Sequence, residues 1–366
     1  MKKVIEASMA IAEAVKLCRP LVIPMYPITP QTHIVERLAD FISDGDLDAE
    51  MIHTESEHSA ISAAIGASAT GVRVFTATAS QGLALMHEIL FIASGLRMPI
   101  VMAVANRTLS SPINIWNDQQ DSISERDSGW LQFYAESSQE ALDLTIMAYK
   151  IAENHTILLP VMVCIDGYVL SHLYEQIDLP SQKEVDSFLP KFKPFYKLDP
   201  DKPITLGPIG FPEHFQLFKE QQQEAMLNSI NIIKKVQNEF YKKFKRKYSL
   251  IEAYKVKDAK TVIVGMGTLC GTVRVVVDEL RKQNKKVGLV KITCFRPFPK
   301  KELSILKGKN IIVIDRNISL GLEGALATEL KSILPNVKGI VTGLGGKDIT
   351  KDIIKKAVNA EDSSWL

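Results

Sequence analysis

Two runs of alternation, one on each side of a proline-rich stretch, constrain this chain more than any other feature. Before residue 180 the apolar segments are Leu21–Pro27, Arg73–Thr78, Pro99–Arg107, Trp130–Tyr134 and Ile157–Gly167. From Thr261 the alternation resumes with Thr261–Gly265, Lys286–Ile292, Ile311–Asp315 and Lys338–Leu344. Short, nearly continuous apolar runs separated by helical spacing are the pattern of parallel strands buried on both faces. The expectation is an α/β protein with two doubly wound domains, residues 1–232 and 250–366. At 366 residues and 46% hydrophobic content the chain can bury two cores.

The segments between the strands support this. Val4–Cys18 has helical apolar spacing (Ile5, Met9, Ile11, Ala12, Val15), as do Ile34, Leu38 and Phe41, and the stretch Gln139–Glu153. Pro180–Pro212 gathers Pro190, Pro194, Pro200, Pro203 and Pro208, which reads as an extended connector over the surface. A long helix follows, with Met226, Ile230, Ile233, Val236, Phe240 and Phe244 on one face. Its basic run Lys242–Lys247 reads as a solvated face, the alternative being a nucleic-acid contact. In the second run the helices are Thr272–Gln283, Lys301–Leu306 and Gly321–Leu334.

Charge and cysteine content remove several function classes. A formal net charge of +2, from 44 basic and 42 acidic residues, gives no global attraction for nucleic acid or a lipid surface. Cys18, Cys164, Cys270 and Cys294 form no close pair, so the chain alone offers no cysteine-ligated iron–sulfur cluster and no disulfide scaffold. No segment reaches the roughly 18 uncharged apolar residues of a membrane span. Glu6 and Glu13 interrupt the apolar run behind the N-terminal Met-Lys-Lys, which argues against a signal peptide and for a cytoplasmic protein.

Chemistry is expected where the strands of the first run end. Glu55 and Glu57 open a small-residue helix running to about Thr70, with Gly71 as a left-handed cap, and the strand Arg73–Thr78 then stops at Ala79-Ser80-Gln81-Gly82. In an open parallel sheet, ligands sit beyond the carboxyl ends of the strands, so Thr78–Gln81 lies at such an edge. Thr29, between Ile28 and Pro30 in a loop stiffened by Pro27 and Pro30, has two readings: a hydroxyl held at the edge, or an N-cap with Pro30 at the first helical position. Arg107, just past a strand end, is either a solvated or salt-bridged residue or a fork for a substrate carboxylate. The polar loop Thr108–Gly129, with Asn114, Trp116, Asn117, Asp118 and Asp121, is either a lid or an exposed excursion.

The turn Gly265-Met266-Gly267-Thr268-Leu269-Cys270-Gly271 approximates a dinucleotide fingerprint. Its third glycine comes one residue late, and Val290-Lys291 stands where a ribose-binding acid belongs, so tight strand-to-helix packing is the better explanation of the glycines. No Gly-Asp-Gly segment is followed at suitable distance by an Asn to hold magnesium and diphosphate, and Asp44-Gly45-Asp46 sits among charged residues in a loop.

The segments YPITPQT, ESEHSA, VFTATASQGL, PIVMAVANR, RDSGW, LLPVMV, IEAY, GMGT, FRPFP, DRNISLG and GLGGKDIT, in this order over nearly the whole chain, resemble the alpha subunits of the thiamine-diphosphate-dependent 2-oxoacid:ferredoxin oxidoreductase family, in its pyruvate-acting branch. The resemblance implies an N-terminal domain that binds the cofactor's pyrimidine and a second domain like the C-terminal domain of transketolase. It implies that Glu57 is the catalytic glutamate facing the aminopyrimidine, that Tyr26, Pro27, Ser80 and Gln81 also contact the cofactor, and that Thr29 and Arg107 contact the 2-oxoacid. It further implies a complex active only when assembled. The thiamine diphosphate would be shared with a beta subunit, and Mg2+ and 4Fe-4S clusters held in partner subunits (beta, gamma and delta), with coenzyme A, pyruvate and ferredoxin as reaction partners and no metal in this chain. A relative acting on a branched-chain 2-oxoacid or 2-oxoglutarate, and a catalytically silent scaffold subunit, are the alternatives. One departure is that Gln119-Gln120 stands in WNDQQD where relatives often carry a histidine.

Overall fold

The computed structural model describes all residues, 1–366. The first run builds a five-stranded sheet in the order Cys294–Arg296, Leu131–Tyr134, Val161–Asp166, Val101–Asn106, Phe75–Thr78. Beyond Phe75–Thr78 the strand Val22–Met25, paired in parallel with Glu50–His53, continues the sheet through a bridge between Val22 and Val74. The order therefore reverses between Val22–Met25 and Phe75–Thr78. A crevice opens at such a reversal, at the carboxyl ends of the two strands.

Helices cover both faces. On one, Ala7–Cys18 and Ser138–Ala152 pack over the sheet in a cluster of 47 buried apolar residues. On the other, Glu57–Ala69 and the helices Ser80–Leu85 and His87–Gly95 belong to a second cluster of 37 residues. That second cluster joins Ala60, Met102 and Trp130 to Val262, Ile311 and Leu326, so both runs share one apolar layer.

The second run gives a six-stranded sheet, Ser364–Trp365, Val337–Val341, Asn310–Asp315, Thr261–Gly265, Val287–Ile292, Ile251–Tyr254. All neighbours are parallel except Ile251–Tyr254 at the edge. Its order reverses between Thr261–Gly265 and Asn310–Asp315. It also lends the strand Cys294–Arg296 to the first sheet, where Cys294 pairs with Phe133 and Arg296 with Gln132. Lys291 is buried at this seam against Glu136 (3.0 Å), Glu140 (3.1 Å) and Glu252 (3.2 Å), a structural role for the residue that interrupts the dinucleotide pattern.

Several local expectations change. Lys2–Ile5 is a strand paired antiparallel with Glu175–Asp178, and the first helix starts only at Ala7. The connector is not wholly extended: Gln182–Phe188 is a helix whose capping box has Ser181 and Glu184 exchanging hydrogen bonds. The long helix spans Pro212–Phe244. Just beyond it Arg246 grips buried Asp143 through two nitrogens at 2.5 and 2.8 Å, so this member of the basic run is committed to the fold.

Candidate active site

Glu57 reaches the edge because its helix begins there. Ser56 caps the helix by accepting a hydrogen bond from the Ser59 amide at 3.3 Å, and Glu57, in the first turn, sits where the helix dipole favours an anion. The helix ends at Ala69, and Gly71 takes φ +87°, as a left-handed cap requires. Glu57 is buried, yet no hydrogen bond from the rest of the chain reaches its carboxylate. Thr78, at the end of its strand, has a buried hydroxyl with no partner. Both point at Gly82: a Cβ there would stand 2.5 Å from Glu57 Oε1 and 2.6 Å from Thr78 Oγ1. A side chain at position 82 would displace both groups, which explains glycine in ASQG better than turn flexibility does.

Arg107 lies on the neighbouring strand end and is only 8% exposed. Its Nη1 donates to the Thr29 carbonyl at 3.0 Å and its Nε to the Asn114 carbonyl at 3.2 Å. No carboxylate of the chain pairs with it, so the salt-bridge reading fails. The structure thus brings Thr29 and Arg107 together, as the sequence suggested. It also decides between the two readings of Thr29: the following helix starts at Thr32 after Gln31, which leaves Thr29 exposed on the loop and not at a cap. Tyr26 and Pro27 are exposed where Val22–Met25 ends, and the Tyr26 carbonyl accepts from Gln31 Nε2 at 2.9 Å.

Ser80 differs from its expected role. It is buried at φ +50°, and its hydroxyl faces inward to the Thr108 carbonyl and Gln81 Oε1. It therefore shapes the turn, while Gln81 remains partly exposed beside it.

Asp121, not singled out from the sequence as a site residue, organises this edge. Its Oδ2 accepts from the amides of Ser80 (2.9 Å) and Arg107 (3.0 Å), and its Oδ1 from Asn106 Nδ2 (2.7 Å) and the Ser122 amide (2.8 Å). Complete burial pushes its carboxyl up to about 7, opposed by those donors. In sequence it is one acid among several in a polar loop. Nothing there marks partners 14 and 41 positions away.

The loop Thr108–Gly129 is neither a free lid nor an excursion. It is a strap between the two runs. Asn114 Nδ2 donates to the Gly345 carbonyl at 3.1 Å, the Gly346 amide to the Asn117 carbonyl at 2.8 Å, the Gln119 amide to the Arg316 carbonyl at 2.8 Å, and the Ile318 amide to Gln120 Oε1 at 2.9 Å. Gln119 and Gln120 thus make contacts to the second sheet.

The strap leads to the crevice of the second sheet, and that crevice is full. Asp166 Oδ2 accepts from the amide and hydroxyl of Thr268, at the N-terminus of the helix Leu269–Lys282, and pairs with Arg316 Nη1 at 2.9 Å. An anion at that helix terminus is what a pyrophosphate would supply in a dinucleotide site. Here the chain's own carboxylate supplies it. Gly267, at φ +69°, leaves room for it, since a Cβ there would stand 2.8 Å from Asp166 Oδ2. The chain's own carboxylate thus stands where a dinucleotide pyrophosphate would sit at this turn.

Fold and site together define a two-sheet α/β protein of the transketolase-like class, with one carboxyl edge open and the other closed. A split-gene transketolase has a similar fold, with a TM-score of 0.54 at 12% identity over 97% of both chains. A 2-oxoglutarate:ferredoxin oxidoreductase from Magnetococcus marinus is more similar, with a TM-score of 0.77 at 19% identity over 98% of this chain and 65% of that one. Residues 13–238 match the family described as pyruvate flavodoxin/ferredoxin oxidoreductase, thiamine-diphosphate-binding, and residues 259–354 match pyruvate:ferredoxin oxidoreductase core domain II. Pyruvate synthase subunit PorA of Methanocaldococcus jannaschii is 56% identical, covering 100% of this chain and 97% of that protein. Ketoisovalerate oxidoreductase subunit VorA of Pyrococcus horikoshii is 47% identical over 97% and 92% of the two chains. The chain belongs to the pyruvate flavodoxin/ferredoxin oxidoreductase family.

The residues present fit the pyrimidine end of thiamine diphosphate. Glu57 is a buried residue whose carboxylate takes no hydrogen bond from the chain, and Thr78 has a buried hydroxyl without a partner, over a glycine that keeps the space beside them clear. No group of three or more His, Cys, Asp and Glu side chains is arranged to hold a metal ion.

Proposed function

We propose that this chain is the alpha subunit of a thiamine-diphosphate-dependent complex that converts pyruvate and coenzyme A reversibly to acetyl-CoA and carbon dioxide, passing two electrons to ferredoxin. The observation that carries the proposal is Arg107, a buried guanidinium without a carboxylate partner, on the same sheet edge as unbonded Glu57. Residues 1–232 would form the pyrimidine-binding domain and residues 250–366 the transketolase C-terminal-like domain. Beta, gamma and delta subunits would complete the assembly, with the diphosphate, Mg2+ and 4Fe-4S clusters held in them. The chain has no helix long and apolar enough to cross a membrane, and we place the complex in the cytoplasm.

When bound, thiamine diphosphate supplies the carbanion that attacks the 2-oxo carbon and the electron sink that permits loss of carbon dioxide. Glu57 would hold the aminopyrimidine and share a proton with it, general acid–base work of the kind that contributes roughly 10²–10⁴-fold. Tyr26, Pro27 and Gln81 would form the rim of that site, with the buried Ser80 shaping the turn behind Gln81. Arg107 would bind the substrate carboxylate through a charge-assisted hydrogen bond, with the Thr29 hydroxyl beside it, so that the chain contributes mainly by positioning. These groups argue against a silent scaffold.

A second reading, the same chemistry on a branched-chain 2-oxoacid, is favoured by one comparison. The ketoisovalerate subunit of P. horikoshii and the pyruvate synthase subunit of Methanosarcina barkeri are equally similar, both at 47% identity. Purification of the native complex and assay of pyruvate, 2-oxoisovalerate and 2-oxoglutarate with coenzyme A and ferredoxin separates the readings. The highest kcat/KM is expected for pyruvate. A preference for 2-oxoisovalerate would establish the second reading, and no turnover of any 2-oxoacid would remove both.

A further inference from the structure

The open edge is held together by a residue that touches neither proposed ligand. The strands Phe75–Thr78 and Val101–Asn106 are parallel neighbours, and each runs into a turn whose first amides point away from the sheet ladder. Ser80, in one turn, is a non-glycine residue at φ +50° and has to be held there. Arg107, in the other, carries the guanidinium. One carboxylate oxygen of Asp121 bridges the two amides, 2.9 Å from Ser80 N and 3.0 Å from Arg107 N. Its other oxygen is anchored by Asn106 Nδ2 and the Ser122 amide, and Asn106 Nδ2 is shared with Ser122 Oγ at 2.7 Å.

We propose that Asp121 is a positioning residue that sets the Arg107 guanidinium relative to the Ser80–Gly82 turn, and so the substrate carboxylate relative to the cofactor beside Glu57. The link to Glu57 runs through Gly82, which follows the Ser80 turn and abuts the Glu57 carboxylate. All four partners of Asp121 are N–H donors. A neutral amide in its place cannot accept all four bonds: one of its ends is a donor and faces either the two turn amides or Asn106 and Ser122. The shape of the site is kept while either the bridge or its anchor is lost. This inference rests on the reading of Arg107 as the partner of the substrate carboxylate.

The test is a double-mutant cycle in the assembled complex, with Asp121→Asn and Arg107→Lys in this chain. Each alone is expected to raise KM for pyruvate about tenfold, the scale of one charge-assisted hydrogen bond, with kcat changed less than about threefold. Because Asp121 acts through Arg107, the double variant should have a KM within about threefold of the worse single one, whereas independent effects would multiply. Multiplying effects overturn the inference and leave the reading of Arg107 intact. An unchanged KM in Arg107→Lys overturns that reading and the inference with it. If Asp121→Asn does not assemble, Asn106→Ser, which loosens only one anchor, is expected to raise KM about threefold and again not to multiply with Arg107→Lys. An unchanged KM in Asn106→Ser overturns the inference.

Discussion

The two sheets share one topology, a reversal of strand order with a crevice at the carboxyl edge, and treat that edge in opposite ways. Each has a buried arginine just after a strand: Arg107 follows Val101–Asn106 and Arg316 follows Asn310–Asp315. Arg316, 4% exposed, is paired with Asp166, and the same carboxylate caps the helix beginning at Leu269. Arg107, 8% exposed, has only carbonyl oxygens for partners. Burying a cation without a counter-charge costs several kcal/mol, a cost retained where a ligand supplies the missing charge. Thr78 repeats the point with a buried hydroxyl that has no partner. The difference teaches that the fold provides two crevices, and that the presence or absence of a counter-charge for the buried arginine distinguishes the structural edge from the working one.

The largest expected effect is at the open edge. Glu57→Gln keeps size and removes the charge, so turnover of the assembled complex is expected to fall about 10²–10⁴-fold. Because no hydrogen bond of the chain ends on that carboxylate, the melting temperature should hold. Near-normal turnover would end the assignment, and a large loss of melting temperature with it would make Glu57 a structural residue like Asp166. The mirror experiment is Asp166→Asn at the closed edge. It leaves Arg316 buried without its ion-pair partner, and removing one member of a buried ion pair costs about 3–5 kcal/mol. Here melting should drop while KM for pyruvate stays near its starting value. An Asp166→Asn complex that melts normally would show that the closed edge is not held by this pair.

The strands and most helices were legible because buried parallel strands are continuous apolar runs and helices between them carry a 3.6-residue period. What escaped was set by distant partners. Glu50–His53 is a strand although its outer residues are exposed and polar, because it pairs along Val22–Met25. Cys294–Arg296 joins a sheet whose other strands lie far earlier in the chain. The capping box at Ser181 was readable and was submerged by the surrounding prolines. Within the candidate site, Glu57 at a helix start and Thr29 and Arg107 at strand ends are candidates from position and resemblance. Asp121 and the Asp166–Arg316 pair are not, since a carboxylate that bridges two turns or closes a crevice has no local pattern. The strap was ambiguous for the same reason, as its partners at Arg316, Ile318, Gly345 and Gly346 are about 200 residues away.

The smallest effect compares the buried carboxylates of the two edges. Asp315, at the end of its strand, accepts from the amides of Leu326 (3.2 Å) and Ala327 (2.9 Å) and from Asn317 Nδ2 (3.0 Å), and burial pushes it up to about 6. Asp121 is pushed further, to about 7. Both are raised above the unfolded value near 3.9, so between that value and the folded one the native state binds more protons than the unfolded state. Stability therefore falls as pH rises through this window and levels off above the folded pKa. The Asp315 carboxylate contributes on the order of 3 kcal/mol to that fall. Asp315→Asn should flatten the part of the curve between pH 4 and about 6 and leave the segment from about 6 to 7, where Asp121 titrates, as it was. Melting temperatures of the two complexes measured across pH 4–8 check this. Equal slopes below pH 6 would mean that its amide donors, and not burial, govern the Asp315 carboxyl, and the two edges would then differ in their carboxylates as well as in their arginines.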